Sequence, residues 1–215
     1  CEDFLQDGDK LYEFDKIKVT FEPHFLDSNG NETNGVGVDL YEIMMTIQEH
    51  PFLHDVPGVK QHFWSMFIMD ALIGNTDRNN SNWGIILRKD RSKEIAPVYD
   101  NGNCLNSKWD DEKMRIVMND PDKMEAEAYK ARRCIFELHG KRVNPYHIIE
   151  SREYPECSEA VYRLTPQIGN NMDRIQAMIN EIPILSEIQK RFFISIIEYR
   201  YEKVLLKCIK NEGVH

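Results

Sequence analysis

The stretch from Val59 to Ile73 constrains the fold more than any other: Phe63, Trp64, Met66, Phe67, Ile68, Met69, Ala71, Leu72 and Ile73 leave it almost no polar face. A helix apolar on every side has to be buried, so this spacing predicts a central helix with the rest of the chain packed around it. Gly74 is placed to end that helix, and the polar run NTDRNNSN follows at once. Polar groups carried at the end of a rigid core element are held in place, which suits a functional loop.

Downstream, WGIIL (83–87) and IAPVY (95–99), joined by RKDRSKE, predict a β-hairpin. If Leu87 pairs with Ile95, the antiparallel register sets Asn82 opposite Asp100 with both side chains on one face. A slip of two residues keeps that face, whereas a slip of one loses it. Upstream, Ile17, Val19 and Phe21 alternate as a strand does, and LDSNGNETNGVG (26–37) reads as a loop. Asp39 suits the N-cap of a helix that starts at Leu40 and stops at Pro51. The second half is mainly helical: over 124–138 with a stop at Gly140, after Pro145, around 157–164, over 171–182, and in a long helix from Ser186. The predicted class is α+β, predominantly helical, in one domain over 1–215, with functional loops in 74–102 and a helical part in 122–215.

Charge narrows the partners. Against 27 Lys plus Arg stand 36 Asp plus Glu, a formal charge of -9 that repels nucleic-acid backbones and anionic membrane surfaces. The five cysteines are an odd number with no CxxC pair, which points to reduced thiols in a cytoplasmic protein rather than to a disulfide framework or a zinc site. No apolar run reaches the roughly 20 residues of a membrane span, and no basic segment leads an apolar one at the start, so export is not expected.

The chemistry concentrates between Asp70 and Asn103. Asp77 is followed five positions later by Asn82, and Asp100 follows an apolar strand and precedes Gly102 at one remove. Phosphoryl transfer requires a carboxylate to orient the attacking hydroxyl, and an amide oxygen plus a second carboxylate to hold the magnesium that bridges ATP phosphates. Asp77 fits the first role, Asn82 and Asp100 the second. The Asp–Asn spacing alone is weak, because both residues commonly turn the backbone. The order of buried helix, polar loop, strand, turn, strand and Asp-x-Gly points further, to the catalytic loop of a kinase and the metal-binding segment after it.

ALIGNTDRNNSNWG and IAPVYDNGNCL resemble the HipA-like kinases, bacterial Ser/Thr protein kinases best known from toxin–antitoxin modules. CEDF at the start resembles that family's hinge (1–5), and NPYHII (144–149) resembles a family helix start, so the resemblance covers most of the chain. It implies a protein-kinase-like carboxy-terminal lobe with a small β-hairpin metal and nucleotide site. It further implies ATP and Mg2+ as cofactors, Asp77 as the catalytic Asp, Asn82 and Asp100 as magnesium ligands, and Asn79 and Tyr99 against the nucleotide. The partners it implies are a protein substrate and an antitoxin-type protein. Asn79 departs from the His that many relatives carry two residues after the catalytic Asp; an amide hydrogen-bonds phosphate but does not titrate near neutrality. The family's amino-terminal lobe, with its phosphate-covering loop and ATP-pairing Lys, precedes the hinge, and here nothing precedes Cys1. A truncated lobe of weak or no activity by itself is therefore expected.

Three other readings compete. GNTD resembles a metallophosphoesterase loop, but that chemistry uses Asp-x-His ligands, and no His follows an Asp at that distance. His50 and His54 are separated by Pro51, His62 reads as a satisfied core histidine, and His139 reads as lying at a helix end. A pseudokinase or interaction module has no need of Asp77, Asn82 and Asp100 together. A phosphoinositide-like lipid kinase shares the Asp-Arg-x-x-x-Asn pattern but would work at an anionic surface that the net charge disfavours. Arg78 either anchors its loop or touches the acceptor.

Overall fold

The structure, a computed structural model, describes residues 3–21, 37–130 and 132–210. Cys1 and the loop reading for 26–36 lie outside them. The chain divides into two compact units.

The first unit comprises Cys1–Met66, Asp77–Asn101 and Ile135–Val143. It holds β1 (Lys10–Glu13), α1 (Phe14–Val19), α2 (Leu40–Glu49), the start of α3 (Val59–Ile73), β2 (Gly84–Leu87), β3 (Lys93–Ile95), β4 (Glu137–Leu138) and β5 (Lys141–Arg142). β1, β2 and β3 form an antiparallel sheet in that order, and β4 and β5 form a hairpin. Where β1 meets β2, a Cβ on Gly84 would strike the Tyr12 backbone carbonyl, so only glycine permits the approach.

Residues 17–21 do not form the expected strand. Phe14, Ile17 and Lys18 are buried at helical spacing, which makes α1 the better fit, while Val19 is 48% exposed. The helix turns Lys18 inward to Glu42 at 2.5 Å, and burial draws the Lys18 pKa down against the pull of that carboxylate. α2 starts and stops where the sequence places it: Asp39 Oδ1 accepts from the Tyr41 N–H, and Pro51 follows the capping His50.

The second unit comprises Phe67–Thr76, Gly102–Cys134 and Asn144–His215. It contains the end of α3, then α4 (Asp111–Met118), α5 (Pro121–Glu125), a π-turn (Ala126–Lys130), α6 (Pro145–Ser151), α7 (Pro155–Asn170), α8 (Met172–Asn180), α9 (Glu187–Arg200), a second π-turn (Tyr201–Leu205) and α10 (Leu206–Lys210). Ser186 caps α9 through a complete capping box with Gln189.

The single helix expected over 124–138 is broken. Helical structure ends at Lys130, where Asn144 Nδ2 takes the Tyr129 and Lys130 carbonyls at 2.7 and 3.2 Å. Residues 137–142 instead make the β4–β5 hairpin around His139 and Gly140, whose φ angles of 50° and 71° suit a tight two-residue turn. His139 is thus a turn residue, its N–H donating to Asp39 Oδ2 at 2.9 Å, and not a helix-end cation.

α3 is the buried helix the pattern requires. Phe63, Trp64, Phe67, Ile68 and Leu72 are each at most 2% exposed, at about 1.5–3 kcal/mol for each such side chain. Its end is a Schellman motif: Gly74 has φ 69°, its N–H reaches the Ala71 carbonyl, and the Asn75 N–H reaches that of Asp70. His62, read as satisfied, is half-buried with no hydrogen-bond partner for Nε2 among the described residues.

Candidate active site

The loop 77–82 lies in the first unit between α3 and β2. Its backbone is tied to α1 from below: Phe14 N–H donates to Trp83 O and Asp15 N–H to Asn80 O, both at 2.9 Å, and Phe14 stacks on Trp83 with centroids 4.0 Å apart. The loop is also folded on itself. Asn79 Oδ1 accepts from the Ser81 N–H at 2.8 Å and the Ser81 hydroxyl at 2.5 Å, while the Asn79 N–H reaches Asn82 Oδ1 at 3.2 Å. Asp77 opens the loop with its side chain exposed.

Asn82 and Asp100 meet, though not by the expected register. Ile85 pairs with Ile95 and Leu87 with Lys93, a slip of two that keeps the face. The turn causes it: Arg88 N–H reaches Ser92 O, Arg91 adopts φ 71°, and the hairpin closes earlier than a seven-residue connection would. The Ala96 N–H still reaches the Gly84 carbonyl at 2.9 Å, the last bond of the pairing, and β3 itself stops at Ile95. The segment beyond curls back instead, Asp100 takes a left-handed φ of 54°, and Asn82 Nδ2 donates to Asp100 Oδ2 at 2.6 Å. A non-glycine residue in that region carries local strain that its neighbours must hold, a pattern concentrated at functional positions.

The holder is Arg78, the residue whose role the sequence left open. Only 1% exposed, it donates Nη1 to the Asn82 carbonyl at 3.1 Å and to the Tyr99 carbonyl, and Nη2 to Asn101 Oδ1. One planar fork thus fixes both segments that carry the Asn–Asp couple. Nothing in the spacing of the motif predicts this burial. Tyr99 supplies a second tie, its hydroxyl donating to Ser81 O at 2.9 Å. Burial first, then the carboxylates of Glu13 and Asp15, push its pKa up to about 12, so it stays a neutral donor. Phe4 lies against the Tyr99 ring with centroids 5.9 Å apart, a contact the sequence reading did not anticipate.

Asn82 and Asp100 offer hard oxygen donors. The carboxylate of Asp100 is exposed, and Asn82 Oδ1 keeps a second lone pair beyond the one taken by Asn79. Among the described residues, no three His, Cys, Asp or Glu side chains converge as a metal cage. A pair of this kind suits an ion that retains water and substrate phosphate oxygens, as Mg2+ does. His50, half of the discounted histidine pair, is engaged otherwise: Nδ1 accepts from Phe52 N–H and Nε2 faces the Thr20 hydroxyl.

No protein-family model matches the sequence. The serine/threonine-protein kinase CtkA of Helicobacter pylori strain J99 is 32% identical over 208 residues, which is 95% of this chain and 61% of the relative. The chain is a homologue of that kinase. A crystal structure of a Helicobacter pylori proinflammatory kinase CtkA superposes with a TM-score of 0.86 at 29% identity, covering 99% of this chain and 76% of the other. The fold, mostly helical with small sheets, therefore matches that of CtkA, and the chain spans about three fifths of the curated relative's length. Among the described residues no helix is long and apolar enough to cross a membrane.

Proposed function

We propose that this chain carries the catalytic and metal-binding part of an ATP- and Mg2+-dependent Ser/Thr protein kinase of the HipA-like type. The observation that carries the reading is the 2.6 Å Asn82–Asp100 couple, held by Arg78 on the loop that also presents an exposed Asp77. Homology to a named Ser/Thr kinase supports it. Asp77 orients the acceptor hydroxyl and takes its proton. Asn82 and Asp100 hold magnesium, which when bound neutralises charge on the transferred phosphate. Asn79 and Tyr99 lie along the nucleotide, and Tyr99, kept neutral, fixes the wall rather than ionising.

Titrating ATP with and without Mg2+ tests the assignment. The wild-type chain binds more tightly with the metal, and Asp100→Asn loses that increment while retaining its melting temperature. Equal metal dependence in the variant sinks the ligand assignment. A pseudokinase predicts metal-independent nucleotide binding and no labelling of any acceptor; a lipid kinase predicts labelling of phosphoinositide rather than of peptide.

A further inference from the structure

The second unit contains a polar hollow of about 250 Å3 whose wall includes Thr76, Asn106, Lys108, Trp109, Glu127 and Arg132. That is just below the roughly 300–1,000 Å3 of small-molecule sites and leaves room for one polar side chain. Its charges are unequal. The Glu127 carboxylate is already held by Asn106 Nδ2 and Arg132 Nη1, both at 2.7 Å, and Arg132 Nη2 is bonded to the Gly74 carbonyl at 2.7 Å. Lys108 is exposed on the rim and forms no ion pair among the described residues, and Lys113 lies 3.9 Å over the Trp109 ring.

A separate observation points to an anionic occupant. Arg200 is fully buried directly behind Gly74, where a Cβ would fall 2.6 Å from its Nη1 and 2.8 Å from its Nη2. Its Nε and Nη1 donate to Ala128 O and Leu72 O, but Nη2 has no hydrogen-bond partner among the described residues. A buried guanidinium with an unmade bond, next to a second guanidinium, leaves positive potential at the glycine wall of the hollow.

We infer that the hollow receives an acidic side chain, carboxylate or phosphate, of a peptide from the protein substrate. Thr76, tied to Asn103 Nδ2 at 3.0 Å, adds a hydroxyl to its wall. Recognition of acidic motifs by clustered cations is the chemistry involved. The inference rests on the kinase reading for the word substrate, but not for the binding.

Calorimetry on the 215-residue chain tests it with a Ser peptide flanked by Glu, its Gln isostere, its Lys counterpart and inorganic phosphate. The Glu peptide binds about tenfold or more tighter than the Gln peptide, the worth of one charge-assisted hydrogen bond. Lys108→Glu abolishes that preference, and the Lys peptide gains on the variant, a reciprocal rescue that a purely structural lysine cannot give. Trp64 and Trp83 are at most 1% exposed, so the emission change on binding comes from Trp109 and vanishes in Trp109→Phe. Equal affinities for Glu and Gln peptides, or an unaltered preference in Lys108→Glu, overturns the inference. Phosphate competing with the Glu peptide supports an anion site, whereas binding that leaves Trp109 silent places it elsewhere and overturns it. Preference beside ATP binding that is indifferent to Mg2+ would end the kinase reading alone; Mg2+-dependent ATP binding without the preference would end this one alone.

Discussion

Each compact unit buries an arginine almost entirely, and the two are used differently. Arg78 in the first unit meets the carbonyls of Asn82 and Tyr99 and the amide oxygen of Asn101, all on segments that carry the proposed chemistry. Arg200 in the second meets the carbonyls of Ala128 and Leu72 and leaves Nη2 without a partner among the described residues. Cations at the end of α3 complement the helix dipole, so Arg200 serves a helix terminus. The difference teaches that burial alone does not rank a guanidinium: the count and position of its acceptors do.

The comparison can be attacked at its strongest point first. Asp77→Asn should lower phosphate transfer by about 10²–10⁴-fold while moving stability by less than about 0.5 kcal/mol, because the side chain is exposed. Kinetics beside a urea melt reads both, and a large stability loss would recast Asp77 as structural. Arg78→Met strands these acceptors and should cost about 3 kcal/mol, with the Asn82–Asp100 couple loosened. Arg200→Met should cost at least about 1 kcal/mol less, since an apolar replacement also removes a donor with no partner among the described residues. The reverse order in urea midpoints would break the comparison.

Gly74→Ala combines a left-handed φ with a methyl pressed into two guanidiniums, and about 2 kcal/mol is the expected loss. A neutral result would show that Arg200 and Arg132 are free to shift. The smallest effect concerns His62. Burial first, then the nearby Arg78 charge, hold its pKa below the ordinary 6.5. The folded state therefore stays neutral while the unfolded chain takes up a proton, and stability declines as pH falls through 6.5. His62→Phe should flatten the denaturation midpoint between pH 7 and 5.5; an unchanged slope would assign the pH response to other groups.

Much of the helical frame was legible because single-face or all-round apolar spacing reports burial directly: α3 runs over the predicted residues, and Asp39 and Ser186 cap as their types suggest. The failures share a cause. Whether 17–21 extends or coils, and whether 132–138 stays helical, was decided by partners distant in sequence, Glu42 for Lys18 and Asn144 for the carbonyls near Lys130. The Asn82–Asp100 meeting was legible as a face, not as a register, because period two survives a slip of two. Arg78 and the hollow beside Thr76 were not legible at all: a buried cation bonded to carbonyls leaves no periodic trace.

Two of the groups that Arg78 grips are main-chain oxygens, which every amino acid possesses. Side-chain identity at position 99 is therefore irrelevant to the grip itself. A lineage that altered its nucleotide wall there would give up the Tyr99–Ser81 tie but keep the arginine grip, so long as the arginine and the amide at position 101 persist. Diversification of what lies against the nucleotide and preservation of the catalytic frame are, on this architecture, separable events.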